Sequence, residues 1–345
     1  MRVRAAATEG NTSHTTVKPV QPRVVVSMVA IAFASLASGA AQSPPSQRQT
    51  APAVEVMPVQ GNVYMLTGAG GNVTIQVGKD GAVLVDAGLE AAAPRVLEEV
   101  QKLTRGPLLY IINTHFHPDH TGGNEFFARR SPQNQFEQIG GRVTSEQAVK
   151  IIAHENVLNR MSQAAESGAA TPRFGLPVDE FFTPFKDLRV NGEAIFVYHE
   201  PRAHTDGDSV VLFRASDVIS AGDVFTPDGY PFIDLEAGGS VQGEIDALNH
   251  LLELTVPGHT QEAGTYVIPG HGRLCDEADV VEYRDMVVIV RDRIQDLIKK
   301  GRTLEQVEAA RPSLDYDAAY VSPGSFVTPE KFVESIYKSL ARVGK

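Results

Sequence analysis

Cysteine is almost absent from this 345-residue chain, which contains only Cys275. A single cysteine excludes an intramolecular disulfide, even though the N-terminal segment described below predicts an oxidising compartment. We expect Cys275 to be a small buried residue rather than a metal ligand. With 42% hydrophobic residues, the chain has enough apolar side chains to bury a sizeable core.

Positive charge is also scarce. The chain has 31 Lys and Arg residues against 42 Asp and Glu residues, which gives a formal net charge of −11. A protein that binds DNA or RNA approaches a polyanion and usually carries basic patches. The charge balance therefore argues against a nucleic-acid partner and favours a small-molecule substrate.

An apolar run long enough to span a membrane is missing as well. The strongest N-terminal run, residues 24–34, is short, and it follows several basic residues and precedes small residues at 38–41. This pattern predicts a signal peptide over residues 1–41 and a flexible linker, rich in Pro, Ser and Gln, over residues 42–53. An uncleaved anchor is the alternative. We expect an exported protein, periplasmic or secreted, with no membrane insertion after cleavage.

Histidine, in contrast, is concentrated at one place. The tract NTHFHPDH, residues 113–120, puts three imidazoles and one carboxylate into six positions. Side chains of these types would repel or desolvate one another unless a cation held them together. The tract therefore predicts a metal site that contains His115, His117, Asp119 and His120.

Three further candidate ligands lie downstream, each where a short apolar segment meets a turn rich in Gly or Pro. They are His204, Asp223 and His271. Strand ends of this kind meet at the edge of a sheet, where side chains from distant parts of a chain can converge.

The order HxHxDH, then His204 after a Pro-containing turn, Asp223 in GDVF and His271 in PGHG closely resembles the metallo-β-lactamase superfamily over about residues 56–273. The resemblance implies that one metal ion is held by His115, His117 and His204 and a second by Asp119, His120 and His271, with Asp223 bridging them. It also implies an α/β fold, the four-layer αβ/βα sandwich, in which two mixed sheets pack face to face with helices outside.

The ligand types indicate the chemistry. Imidazoles and carboxylates suit zinc, which in catalytic sites keeps one position open for water. We therefore expect two Zn²⁺ per chain, with iron as the alternative metal, and a hydrolase that uses a metal-bound hydroxide. Asp119, the predicted catalytic residue, would orient this hydroxide and pass a proton to the leaving group. The expected substrate is a small ester, lactone, thioester or amide, with β-lactams as a further candidate.

Two positions depart from the zinc β-lactamases of the clinical type. Asp223 stands where those enzymes have a cysteine, and Thr226 where they have a lysine that binds the substrate carboxylate. The metal site is thus more similar to glyoxalase II-like and lactonase-like members, although the basic Cys-Gly-Arg segment that the former use for glutathione is missing.

Two other functions stay open. One is a mononuclear iron enzyme of the persulfide dioxygenase kind, in which His115, His204 and Asp223 form the site. The other is an exported protein that binds metal without catalysis.

The hydrophobic pattern predicts one metallo-β-lactamase-fold domain over residues 54–275 and a C-terminal helical extension over residues 276–345 that packs on the same domain. Strands are predicted at residues 62–67, 73–77, 82–86, 108–114, 188–190 and 193–198, and helices at residues 91–102, 121–128, 143–166, 240–254, 277–300, 304–310 and 329–343.

Some polar and aromatic residues have two interpretations. The resemblance implies that Asp86 supports the metal loop, and the alternative is a turn residue that ends a strand. In the loop of residues 226–235, Tyr230 could donate to an oxyanion and Phe232 and Ile233 could line an apolar pocket, whereas simple packing is the plainer interpretation. We assign them no catalytic role.

Overall fold

The computed structural model describes residues 53–130, 149–166, 173–259 and 264–343. The strands are β1 Glu55–Gln60, β2 Val63–Ala69, β3 Gly71–Val77, β4 Ala82–Val85, β5 Leu108–Ile112, β6 Lys150–His154, β7 Asp179–Phe181, β8 Phe185–Val190, β9 Glu193–Glu200, β10 Asp208–Phe213, β11 Val218–Gly222 and β12 Tyr266–Pro269. The helices are α1 Ala93–Leu103, α2 Pro118–Thr121, α3 Asn124–Arg129, α4 Glu155–Glu166, α5 Val241–Leu254, α6 Glu277–Lys299, α7 Leu304–Ala309, α8 Leu314–Tyr320 and α9 Pro329–Val343.

Two predicted segments lie outside the described residues: the signal peptide, residues 1–41, and the linker as far as residue 52. The described helices include none that is both long and apolar enough to cross a membrane.

The strands form two mixed sheets. The first contains β1 to β7 in sequence order, antiparallel from β1 to β4 and parallel from β4 to β7. The second has the order β12-β11-β10-β9-β8, in which only β11 and β12 are parallel. The prediction of an αβ/βα sandwich is confirmed.

Three apolar clusters define the layers. Side chains such as Val85 of the first sheet and Val211 of the second pack between the two sheets. The outer face of the first sheet packs against α1 and α3 through residues such as Val96, and the outer face of the second is covered by α5, α6 and α9 through residues such as Leu248 and Phe332. The central strands are therefore buried on both faces, as strands of parallel sheets usually are.

One predicted helix is wrong over part of its length. Residues 143–166 were expected to be helical, but β6 occupies Lys150–His154 and helix α4 begins only at Glu155. Strand β6 pairs in parallel with β5 and β7, so both of its faces are buried. Its apolar residues do not alternate with polar ones, and hydrophobic periodicity alone cannot separate such a strand from a buried helix. Residues 143–148 lie outside the described residues.

Candidate metal centre

The structure brings all seven candidate ligands together at one edge of the sandwich. Three of the strands that precede them, β5, β11 and β12, belong to parallel pairs, so their carboxyl ends point to that edge. His115 and His117 follow β5, Asp119 and His120 lie in α2, His204 lies between β9 and β10, and Asp223 and His271 follow β11 and β12.

The seven side chains form two groups, each with its ligand atoms within 4.8 Å of one another. The first group contains His115, His117, His204 and Asp223, and the second contains Asp119, His120 and His271. Asp223 also faces the second group, because its Oδ1 atom lies 3.2 Å from His120 Nε2 and 3.5 Å from His271 Nε2. The grouping is compatible with two metal ions that share Asp223.

Hydrogen bonds fix the tautomers of two histidines in the first group. His204 Nδ1 donates to the carbonyl oxygen of Phe232, so its Nε2 atom is left as an acceptor. His117 Nε2 lies 3.2 Å from Asp234 Oδ2 and donates to it, so here Nδ1 is left as the acceptor. One short loop therefore orients two candidate ligands.

Asp86 fixes two more histidines. Its Oδ2 atom accepts from the hydroxyl of Thr114 at 2.8 Å and from His120 Nδ1 at 2.7 Å. Because the Thr114 hydroxyl donates to Asp86, it accepts from His115 Nδ1 at 3.1 Å. Both His115 and His120 are thus left with Nε2 as the acceptor nitrogen.

Asp86 also adopts a left-handed backbone conformation, with φ of 65°, directly after strand β4. Both interpretations of this residue therefore apply. It ends the strand, and its Oδ1 atom accepts from the Thr114 backbone N–H at 2.8 Å, which holds the start of the metal loop.

The acceptor nitrogens converge on one point. His117 Nδ1 lies 3.1 Å from His115 Nε2 and 3.0 Å from His204 Nε2, and Asp223 Oδ2 lies 3.9 and 3.8 Å from the same two Nε2 atoms. Ligands of a tetrahedral zinc ion, at about 2.0–2.1 Å from the metal, are about 3.3 Å apart. The spacing of the first group fits such an ion.

The electrostatics of the two groups differ. Burial lowers the pKa of His204 to about 4 and that of His115 well below its usual range, so both are neutral near pH 7 and suited to bind a cation. In the second group burial also lowers the pKa of His120, but the carboxylates of Asp223 and Asp86 outweigh burial and raise this pKa well above its usual value. The nearby carboxylates of Asp119 and Asp223 likewise raise the pKa of His271, to about 9.

The second group therefore attracts positive charge. In addition, Asp223 Oδ1 is buried and has no hydrogen-bonding partner of suitable geometry among the described residues. A buried carboxylate oxygen without a partner is costly unless a cation or a donor satisfies it. The donor set of both groups therefore fits two divalent metal ions.

Two glycines leave room for candidate ligands that lie close to the backbone. A Cβ atom on Gly71 would lie 2.7 Å from His120 Cε1, and one on Gly270 would overlap with Asp223 Oδ1. Any larger residue at either position would displace a candidate ligand.

The structure also gives the positions of the aromatic and apolar residues in the loop of residues 226–235 and of Cys275. Tyr230 is buried and also lines the cavity above the site, but its hydroxyl donates to Asp317 Oδ1 in α8 at 2.8 Å and is therefore already engaged. Phe232 lines the same cavity, and Ile233 belongs to the core. Cys275 is buried, and burial raises the pKa of its thiol to about 12.

Sequence analysis missed Asp234. This residue lies 117 positions from His117, and its Oδ1 atom accepts from two backbone N–H groups of the following turn. Aspartate is common in turns of all kinds, so the sequence around Asp234 carries no signal of its contact with a candidate metal ligand.

A sequence profile of the metallo-beta-lactamase superfamily matches residues 66–259. The comparison with curated proteins gives no match.

Among solved structures, the chain is similar to the stereoselective inverting sec-alkylsulfatase Pisa1 from Pseudomonas sp., with a TM-score of 0.56 and 18% identity over 82% of this chain and 49% of that one. It therefore spans about half the length of that enzyme. It is also similar to the DIM-1 metallo-beta-lactamase, with a TM-score of 0.51 and 18% identity over 69% of this chain and 98% of that one. At this level of identity the two structures support the fold alone.

The profile match covers more than half of the chain and includes six of the seven residues that converge at the edge of the sandwich, all except His271. The two His/Asp groups could each hold a metal ion, and the chain belongs to the metallo-beta-lactamase superfamily.

Proposed function

We propose that this protein is a dinuclear zinc hydrolase that acts on a small ester, lactone, thioester or amide. One observation carries the proposal: four histidines each have one ring nitrogen committed to an oxygen, and the remaining nitrogens face the two groups around Asp223. Outer hydrogen bonds of this kind orient imidazole ligands and raise their basicity.

In this proposal His115, His117 and His204 hold the first zinc ion, Asp119, His120 and His271 hold the second, and Asp223 bridges them. When bound, the two cations would lower the pKa of a water molecule and polarise the bond to be cleaved. The carboxylates of Asp119 and Asp223 balance part of their charge.

Asp119 is proposed as the catalytic residue. Its side chain is partly exposed, lines the cavity and has its Oδ2 atom 3.2 Å from His271 Nε2. It is therefore held at the boundary between the candidate ligands and the substrate space. From this position the carboxylate can orient the attacking water and carry a proton to the leaving group.

The complete second group favours this function over the mononuclear iron alternative. His115, His204 and Asp223 would suffice for a single iron, yet Asp86 also orients His120, and Asp119 and Asp223 both approach His271. A purely structural metal site is closed. Here a cavity of about 670 Å³ opens onto four of the seven candidate ligands, which favours catalysis.

The activities of the two similar enzymes suggest further candidate substrates. One is a sec-alkylsulfatase and the other a metallo-beta-lactamase. Thr226 lines the cavity at the position where clinical zinc β-lactamases carry a substrate-binding lysine, which argues against efficient β-lactam turnover. Both substrate types belong in a test panel as comparison compounds.

The test begins with protein stripped of metal by a chelator and reloaded with zinc or with iron(II). Each form is assayed on chromogenic esters, lactones, thioesters, a β-lactam, a sulfate ester and a persulfide. We expect hydrolysis by the zinc form and its loss in Asp223→Ala, because the bridging carboxylate is then gone. Persulfide oxidation by the iron form, together with an inactive zinc form, would support the redox alternative instead.

We also propose that the protein is exported to the periplasm or secreted. The apolar run at residues 24–34 and the small residues that follow support this location. Cell fractionation with mass spectrometry of the mature N-terminus tests it, with cleavage expected near residue 41.

A further inference from the structure

A cavity of about 670 Å³ lies above the candidate metal centre, and it is large enough to hold a small organic substrate. One wall of this cavity is formed by the loop between α8 and α9, which contributes the lining residues Ser322 to Val327. This loop belongs to the C-terminal segment, so the substrate space is shaped by residues that supply no candidate ligand.

An aromatic pair stands at the mouth of the cavity. The rings of Phe232 and Phe326 meet edge to face with centroids 5.1 Å apart, and their residues are 38% and 69% exposed. The Phe232 ring also lies 6.1 Å from the ring of His117 and 5.5 Å from that of His204. Exposed phenylalanines are common one at a time. Two in contact, directly beside the candidate ligands, form an apolar surface that a substrate can cover.

Apart from the candidate metal ligands, the lining of the cavity holds a single charged side chain among the described residues, that of Asp228. Asp119, Asp223 and Asp228 line the cavity, and no lysine or arginine is found among its described lining residues. The basic residue that follows Gly272 in this wall, Arg273, is bound to Asp279 through contacts of 2.6 and 3.0 Å. A carboxylate or phosphate on the substrate that lies away from the metals would find no lysine or arginine among these lining residues and would approach the carboxylate of Asp228.

A second cavity of about 450 Å³ lies on the other side of the aromatic pair. The two cavities share Phe232, Phe326 and Val327, and the second is also lined by Ile233 and Leu235. Its lysines are engaged, since Lys331 Nζ donates to the Phe326 carbonyl at 3.1 Å and Lys338 pairs with Glu334 at 2.6 Å. A chain that outgrows the first cavity could therefore continue along the apolar lining residues of the second, which also has charged residues at its wall.

We propose that the preferred substrate is an uncharged ester, lactone or thioester whose apolar chain or ring lies against Phe232 and Phe326. This inference rests on the proposed hydrolase function and narrows its substrate class. In the reaction, the oxygen of water bonds to the acyl carbon and the bond from that carbon to the leaving oxygen or sulfur breaks. The leaving group takes one proton, and the second is released from the carboxylic acid.

The test uses the zinc-loaded full chain and p-nitrophenyl esters of increasing acyl length, from acetate to hexanoate. A monoadipate ester, which has the length of hexanoate and ends in a carboxylate, is the charged partner. We expect kcat/KM to rise with chain length and to fall about tenfold or more for the charged ester, the usual scale for a few buried methylenes or an unpaired charge.

Phe326→Ala should lower kcat/KM for hexanoate about tenfold and leave acetate nearly unchanged. Because Phe326 is highly exposed, its removal should not prevent folding. Phe182→Ala, at a phenylalanine that is 75% exposed and lines neither cavity, is the matched control and should behave as wild type. Equal rates for the charged and neutral esters, or no effect of Phe326→Ala on hexanoate, would overturn the proposal.

A binding measurement separates this inference from the proposed function. Calorimetric titration with 2-octanone, an uncharged ketone that cannot be hydrolysed, reports on the apolar wall without turnover. Binding that weakens in Phe326→Ala but not in Phe182→Ala supports the apolar site even if no ester is cleaved, in which case only the hydrolase function fails. If esters are hydrolysed but the binding of 2-octanone does not depend on Phe326, the hydrolase function stands and the apolar site is overturned.

Discussion

At the scale of single residues, the site depends on oxygens that hold imidazole rings in place. The candidate ligands could be predicted from the sequence because they lie in a dense motif and at strand ends. The groups that orient them could not all be predicted in the same way. Asp86 was found through the resemblance, whereas Asp234 and the Phe232 carbonyl contact their histidines only in the folded chain. Such contacts between distant residues leave no local pattern.

The carboxylate of Asp119 should matter more for rate than for folding. Asp119→Asn keeps the shape of the side chain but removes the charge that would help to hold the second metal and to carry a proton. We expect the variant to stay folded, to retain about one zinc ion and to lose about 10²-fold or more in turnover. Turnover, metal content and thermal melting are measured on the same preparation. Unchanged turnover would show that the carboxylate has no catalytic part.

Asp234 should act by positioning His117. Asp234→Ala removes the acceptor at His117 Nε2, so the ring can rotate or change tautomer, and zinc affinity at the first site should fall about 10–100-fold. Asp234→Asn retains an amide oxygen that can accept from His117, so its zinc affinity should lie between that of wild type and that of the alanine variant. Competition with a chromogenic chelator measures the affinity, and the spectrum of the cobalt(II) form reports on ligand geometry. An alanine variant with wild-type affinity and an unaltered cobalt spectrum would refute this role.

At the scale of helices and strands, prediction succeeded where a signal was local. The strands predicted at residues 188–190 and 193–198 form the hairpin of β8 and β9, in which Asn191 and Gly192 of the turn both have positive φ. The helix predicted from residue 240 forms as α5, and the Ser240 side chain accepts from the Gly243 N–H at its start. Prediction failed for β6, which a continuous apolar run made indistinguishable from a helix. The short strand β7 and the helix α8 were also missed. Their stability comes from the elements they pack against rather than from their own sequence.

Helix α5 carries a buried carboxyl group that makes stability depend on pH. Glu244 is fully buried, neither of its oxygens has a hydrogen-bonding partner among the described residues, and burial raises its pKa well above its usual range. In the unfolded chain a glutamate has a pKa of about 4.3. Above that pH, the carboxyl must take up a proton when the chain folds. The free energy of unfolding therefore decreases as the pH rises from about 4.3 towards the pKa of the folded state.

Glu244→Gln should remove this dependence because an amide does not titrate. We expect the melting temperature of the variant, relative to wild type, to rise steadily from pH 5 to pH 8 in zinc-saturated protein. Glu253→Gln, at an exposed position of the same helix, is the control and should show a constant difference. A difference for Glu244→Gln that does not change with pH would mean that the carboxyl is ionised when buried.

At the scale of the whole molecule, the candidate metal centre joins the two halves of the sandwich. His115, His117, Asp119 and His120 follow a strand of the first sheet, whereas His204, Asp223 and His271 follow strands of the second. Metal ions bound by both sets would cross-link the sheets, so metal binding should stabilise the fold by mass action. The four-layer architecture could be predicted only through the resemblance, because periodicity gives elements but not the way in which two sheets pack.

The number of zinc ions per chain tests the central claim most directly. Protein equilibrated with zinc, freed of excess metal and measured by mass spectrometry of the metal content should hold close to two zinc ions. His271→Ala should hold about one, because the second group loses a ligand while the first keeps its own. A wild-type protein that holds a single iron ion and is inactive with zinc, or one that reaches full hydrolytic activity with one zinc ion, would contradict the dinuclear account.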